Sequence, residues 1–198
     1  MASKLTSEHK MKIGIGLPAL IIGRDPQYEE IIDTLLSVCE KHDCYFIVQA
    51  PYDKPQLLEY AGDKVDKEKV LHFSEGIEDW FEFMRTLDFV VSTRIHGGMA
   101  GIINDIPTII IPTDYRILEL VNAMVLPHIS FDDAREKDFT SLAELMAATN
   151  KDFKRFEANR RNRLKEYKRM LESIDLEMDP ALVDIILDEE VADGLSYH

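Results

Sequence analysis

Arg94 and His96 stand two residues apart in the stretch "VVSTRIHGGMAGIINDIPTIIIP", residues 90–112, between an apolar run and a double glycine. The apolar run reads as a buried strand and Gly97-Gly98 as the opening of a buried helix, which places both side chains on a strand-to-helix turn. The first turn of a helix offers unpaired N–H groups and partial positive charge, so an anion is its natural guest. Arg94 adds a planar fork that suits carboxylate or phosphate. A histidine titrates near neutrality and can pass a proton, and Gly97 and Gly98 let the backbone approach a ligand closely. A charge-assisted hydrogen bond contributes roughly 1.5–3 kcal/mol, so two or three local donors outweigh a remote repulsion that is screened beyond about 8 Å. The competing reading is an arginine and a histidine that cap carbonyls or pair with acids.

The elements that must position this turn follow from the apolar pattern. Short β-rich runs recur at 11–17, 44–50, 69–73, 88–93 and 107–112, with a weaker one, "PHISF", at 127–131. Ile31, Ile32, Leu35, Leu36 and Cys39 repeat at helical spacing between the first two runs, and Ile77, Trp80, Phe81 and Met84 do so before the fourth. Strands alternating with helices give βαβ units. The expected fold is α/β, a Rossmann-like parallel sheet of about six strands flanked by helices, with extra C-terminal helices. In such a sheet ligands bind beyond the carboxyl ends of the strands. That edge collects Arg24 and Asp25 after the first strand; Gln49, Tyr52 and Asp53 after the second; Ser74 and Glu75 after the third; Ser92, Thr93, Arg94 and His96 at the fourth; and Thr113, Asp114, Tyr115 and Arg116 after the fifth. The convergence of Arg24, Arg94 and Arg116 favours a binding site over isolated caps. His42, His72 and His128 read as surface or structural residues.

Composition narrows the partners. The formal net charge of −14 argues against nucleic acid and anionic membranes. Cys39 and Cys44 form neither a disulfide framework nor a CxxC pair, so a reducing compartment is expected. No HExxH, Cys/His metal spacing, GxSxG or Walker A motif occurs, and "GIGLPAL" holds only part of a dinucleotide loop. No metal or cofactor is expected. The chain has no apolar run of transmembrane length and no signal-peptide core, so residues 1–10 read as a disordered leader and the protein as cytoplasmic. Residues 11–175 read as one domain and 176–198 as a short helix with an acidic tail. The basic helix around 151–172 reads as a solvated face laced with Glu157, Glu166 and Glu172.

The block "LDFVVSTRIHGGMAGIINDIPTIIIPTDYRILELVNAMVLPHI", 87–129, resembles the carboxy-terminal half of polysaccharide pyruvyl transferases. Asp88, Ser92, Arg94 and His96 fall on that family's strand and turn, Pro107 on the next strand, and Asp114, Arg116, Glu119 and Leu120 on the following helix. Asn104-Asp105 departs from the family's small residue and glycine. The resemblance implies a two-domain GT-B-type enzyme of which this chain holds one half, completed by an N-terminal domain or by a second copy. It implies transfer of the enolpyruvyl unit of phosphoenolpyruvate to two sugar hydroxyls of a glycan acceptor. His96 would then donate the proton; Arg94, Gly97 and Gly98 would hold phosphate or carboxylate; Arg116 would take the other anionic end; and Asp114 or Glu119 would orient the arginines. Two alternatives stay open: a GT-B glycosyltransferase domain that binds a nucleotide sugar at the same edge, and a non-catalytic module that docks a partner through the basic helix.

Overall fold

The computed structural model describes residues 10–17, 26–74, 76–136 and 142–187. Arg24 and Asp25, Glu75, the leader to residue 9 and the tail from 188 lie outside the described residues. Among those described, β1 (Lys12–Gly16), β2 (Asp43–Val48), β3 (Val70–His72), β4 (Phe89–Ser92) and β5 (Thr108–Ile110) form one parallel sheet in the order β3-β2-β1-β4-β5. The "PHISF" segment adds a single parallel bridge, His128 to Ile110. Pro127 has no N–H to extend a ladder there, although its carbonyl accepts from Ile110 N–H at 3.0 Å.

The connections are α1 (Pro26–Val38), α2 (Asp53–Ala61), α3 (Ile77–Met84) and α4 (Ile95–Ile103); α5 (Tyr115–Met124), α6 (Phe131–Glu136), α7 (Leu142–Glu172) and α8 (Pro180–Leu187) follow β5. Alternation along the strands assigns the two faces of the sheet. Ile13, Ile15, Phe46, Val48, Phe89, Val91, Ile109 and Ile111 pack with Ile31, Ile32, Leu35 and Leu36 of α1 and Leu57 of α2. Ile47 and Val90 turn the other way, toward Met84 of α3 and Ala100 of α4, and Ile110 meets Ile102, Ile117 and Val121. Each aliphatic side chain so buried contributes about 1.5–3 kcal/mol, which fixes the helices to both faces. Ile77 departs from the expected stripe: it sits at the first residue of α3 and is exposed, while Met84 one end later is fully buried.

The chain order reverses at β1, because the crossover from β2 runs to β3 at one edge and the crossover from β3 returns to β4 on the other side of β1. Gly16 pairs with Ser92, and Ser92 with Ile110, so the carboxyl ends of β1, β4 and β5 are level. A crevice at such a switch point is where this architecture receives ligands.

Candidate active site at the carboxyl edge of the sheet

Arg94 is the N-cap of α4, held in an extended conformation. Ser92, fully buried, shapes the turn: its hydroxyl donates to the Arg94 carbonyl at 2.7 Å and accepts the Arg94 N–H at 3.1 Å. Thr93 ties this turn to β1, giving both its N–H (2.9 Å) and its hydroxyl (3.0 Å) to the Gly16 carbonyl. Ser92 and Thr93 therefore build the turn from within and leave His96 exposed and Arg94 partly so.

Gly97 and Gly98 answer to packing. A Cβ on Gly98 would stand 2.4 Å from Ile110 Cγ1, and one on Gly97 would stand 2.6 Å from Ser92 Oγ and 3.4 Å from Gln49 Nε2. The absent side chains let α4 start directly against the sheet. Gly98 N–H is spent on the Arg94 carbonyl at 3.1 Å, whereas the N–H groups of Ile95, His96 and Gly97 have no acceptor among the described residues. The anion-binding amides are thus those of 95–97.

The partner of Arg94 lies 41 residues away in the chain. Arg94 Nη1 donates to Asp53 Oδ2 at 3.0 Å, and this carboxylate, on the first residue of α2, is 0% exposed against 27% for the arginine side chain. Oδ2 also accepts the Ala50 N–H at 3.2 Å, but Oδ1 is buried without a partner among the described residues, as is Gln49 Nε2 at the end of β2. A charged pair at this depth holds the guanidinium in one orientation, with its remaining N–H edge making no hydrogen bond to described residues. The sequence placed Gln49 and Asp53 on this edge without a role. Their signal was position alone, two polar residues just beyond an apolar strand.

On the neighbouring strand end, Asp114 caps α5, its Oδ1 accepting the Ile117 N–H at 2.8 Å. Its other oxygen takes the exposed Arg116 at 3.3 Å. Thr113 Oγ1 donates to the Thr93 carbonyl at 3.3 Å, linking the two turns, and Tyr28 of α1 donates to the Thr113 carbonyl. Glu119 is exposed on α5. Ser92, Arg94, His96 and Gly97 are therefore gathered in one turn, with Asp114 and Arg116 one strand away and no hydrogen bond between Arg94 and Asp114, Arg116 or Glu119. Two shallow depressions lie elsewhere: about 240 Å³ bounded by His72, Phe73, Ser74, Gly76 and Asp79, and about 260 Å³ between α5 and α7 beside His128. Among the described residues no group of three or more His, Cys, Asp or Glu could hold a metal ion, and no helix is long and apolar enough to cross a membrane.

Residues 12–115, from the start of β1 to the start of α5, match the family described as polysaccharide pyruvyl transferase. The chain belongs to that family. The match spans the β4–α4 turn, so Ser92, Arg94, His96 and Gly97 lie within the family's shared region, together with Gln49 and Asp53. No curated protein matches the sequence significantly. Among solved structures, an S. aureus MnaA–UDP co-structure superposes with a TM-score of 0.50 at 12% identity, over 87% of this chain and 48% of that one. The spinosyn rhamnosyltransferase SpnG gives 0.48 at 17% identity, over 77% of this chain and 42% of its own. The MnaA likeness concerns the fold alone, and the chain spans less than half the length of either protein.

Proposed function

We propose that this domain binds phosphoenolpyruvate at the β4–α4 turn and contributes to its transfer onto a glycan. The observation that supports this most directly is the concentration of unspent hydrogen-bonding capacity there: three free N–H groups at 95–97, the open edge of Arg94, and an exposed histidine, all at the switch point of the sheet.

The chemistry sets the roles. Phosphoenolpyruvate is an enol phosphate. Its C3 methylene takes a proton from His96 and becomes a methyl group, and the positive charge that develops at C2 is shared by the attached oxygen. A sugar hydroxyl adds to C2 and loses its proton; the C2–O bond to phosphate then breaks, with the electron pair leaving on phosphate. A second hydroxyl of the same sugar adds to C2 and closes the ketal, releasing its proton. Phosphate is best stabilised by donors fixed in advance, which here are the 95–97 amides and Arg94. Asp53 serves by aiming Arg94 rather than by touching substrate. Arg116, paired with Asp114 and 81% exposed, would reach the carboxylate end, and Arg24 would join from the segment after β1. The reaction needs no metal or redox cofactor. A cytoplasmic location suits this donor, and the acceptor-facing wall would come from a further domain or a second copy.

The test is calorimetric titration of the chain with phosphoenolpyruvate, with uridine diphosphate as the rival ligand because MnaA, which shares the fold, was solved with UDP. Arg94→Lys keeps the pair with Asp53 while losing the fork and should weaken phosphoenolpyruvate binding by roughly tenfold or more. His96→Ala should leave binding nearly intact and, in an enzyme with acceptor present, lower turnover by roughly 10²–10⁴. Binding of uridine diphosphate without phosphoenolpyruvate would replace this reading with a nucleotide-sugar transferase.

A further inference from the structure

The long helix α7 leaves the domain with one face uncovered. Its N-terminal half is anchored by Phe153 and by Phe156, which is buried with Ile102, Ile110, Ile117, Val121 and Leu126. At 3.6 residues per turn the face of Phe156 runs on through Arg160, Arg163, Tyr167 and Met170, and Ile174 follows in the turn just past the helix. None of these is covered: Tyr167 is 44% exposed, Met170 52% and Ile174 59%, and both arginines are exposed. The flank beside this stripe is occupied, since α8 packs against α7 and Leu164 and Leu171, about 60–80° round the helix from Phe156, are half-buried. A stripe that is core at one end and solvent at the other lacks an opposing surface among the described residues over about 18 Å of helix, from Arg160 to Glu172.

Charge says what that surface carries. On the N-terminal side of Tyr167 the stripe is basic, with Arg160 and Arg163 held along the helix by Glu157 (2.7 Å) and Glu166 (3.0 Å). On the C-terminal side, Lys168 is paired with Glu172, and the turn that ends the helix is acidic, with Asp175, Glu177 and Asp179 all exposed. Asp175, at φ 56°, turns the chain directly after Ile174, so the acidic segment begins where the stripe ends. An anionic bilayer or nucleic acid would meet it as like charge. An antiparallel copy of the same helix, with a two-fold axis at Tyr167, instead sets the acidic turn opposite Arg160 and Arg163 twice over. It also lays Met170 and Ile174 against the aliphatic stems of those arginines.

We propose that α7 is a homodimerisation element, pairing antiparallel with α7 of a second copy through Tyr167, Met170 and Ile174, with Arg160 and Arg163 of each chain facing Asp175 and Glu177 of the other. This inference is independent of the ligand assigned to the β4–α4 turn. A single helix pair lies at the small end of the roughly 1,200–2,000 Å² range of stable interfaces, so the dimer should dissociate on dilution.

Sedimentation equilibrium over a roughly hundredfold concentration range tests it. The expected result is a monomer–dimer equilibrium that Tyr167→Glu with Met170→Glu shifts toward monomer by roughly a hundredfold in dissociation constant, with helical circular dichroism unchanged. The decisive arm uses two charge-reversed chains, Arg160→Glu with Arg163→Glu, and Asp175→Lys with Glu177→Lys. Each alone should dimerise at least roughly tenfold more weakly, whereas their equimolar mixture should regain the dimer, because every opposed pair is again of opposite sign. A chain that stays monomeric throughout, a dimer indifferent to the Tyr167 variant, or a mixture no tighter than its components would overturn the proposal.

Discussion

The two edges of the sheet use the same side-chain types and leave them in different states. At the amino edge the polar groups are matched and close to water. Asp88 accepts the Lys12 N–H at 2.8 Å, Lys12 reaches Thr86 at 2.7 Å, Asp43 pairs with Lys69 at 2.5 Å, and His42 Nδ1 accepts the Met11 N–H at 3.4 Å. At the carboxyl edge Arg94 pairs with a fully buried Asp53, and Asp53 Oδ1, Gln49 Nε2 and the amides of 95–97 have no partner among the described residues. Buried polar atoms are nearly always satisfied in a folded chain. The amino edge is finished structure, whereas the carboxyl edge leaves polar atoms unpaired among the described residues, the capacity that the proposed ligand would use.

The sharpest way to break this contrast is to remove one member of each pair. Arg94→Ala leaves the Asp53 carboxylate buried and uncompensated, and should destabilise the fold by about 3–5 kcal/mol in chemical denaturation. Combining Arg94→Met with Asp53→Asn removes the charge as well as the partner and should recover most of that loss. If the double variant is no more stable than Arg94→Ala, the arginine is holding the fold by packing and not by pairing. The same result warns that loss of activity in Arg94→Ala would not by itself identify a ligand contact, which is why Arg94→Lys is the informative variant.

A smaller effect separates the glycines. Gly98→Ala drives a methyl group into the fully buried Ile110 and should cost about 1–3 kcal/mol. Gly76→Ala, before α3, would meet only Glu78 Oε2 at 3.1 Å and the Glu78 N at 4.0 Å, so it should stay within about 0.5 kcal/mol of the parent. Equal costs at the two positions would mean that α4 can lift from the sheet. The double glycine would then serve ligand approach, as the sequence suggested, more than packing.

What the sequence could show follows from the range of each interaction. Strands and helices were legible because burial is periodic: Ile31, Ile32, Leu35 and Leu36 are all in the core, and Val90 and Val91 face opposite sides of the sheet as alternation requires. Arg94 and His96 were legible as an edge pair because strand and helix patterns meet between them. The pairing of Arg94 with Asp53 was not, since it joins two turns whose adjacency depends on the strand order; Asp114, nearer in sequence, caps its own helix and binds Arg116. The basic helix read as solvated, and its ion pairs agree, but the sequence pattern did not show that the face of Phe156 continues bare as far as Met170.

The smallest effect belongs to the amino edge and is read through pH. The Lys69 ammonium beside Asp43 holds its carboxyl below the usual carboxylate range, against a lesser opposing push from burial. A carboxyl whose folded pKa is depressed stabilises the fold above its unfolded value of about 3.9, and loses that contribution as pH falls through the folded value. Burial lowers the His42 pKa, so His42 adds stability above about 6.5 that is lost as pH falls toward its folded value. Acid should therefore weaken the fold in two steps, the histidine first. Asp43→Asn should remove only the later step and cost less than about 1 kcal/mol at neutral pH, because side chains 35% and 37% exposed are well screened by water. Denaturation midpoints of Asp43→Asn and Arg94→Ala measured side by side then weigh the two edges directly. A loss at Asp43 equal to that at Arg94 would mean that burial is not what distinguishes the carboxyl edge, and the argument from its unpaired polar atoms would fail with it.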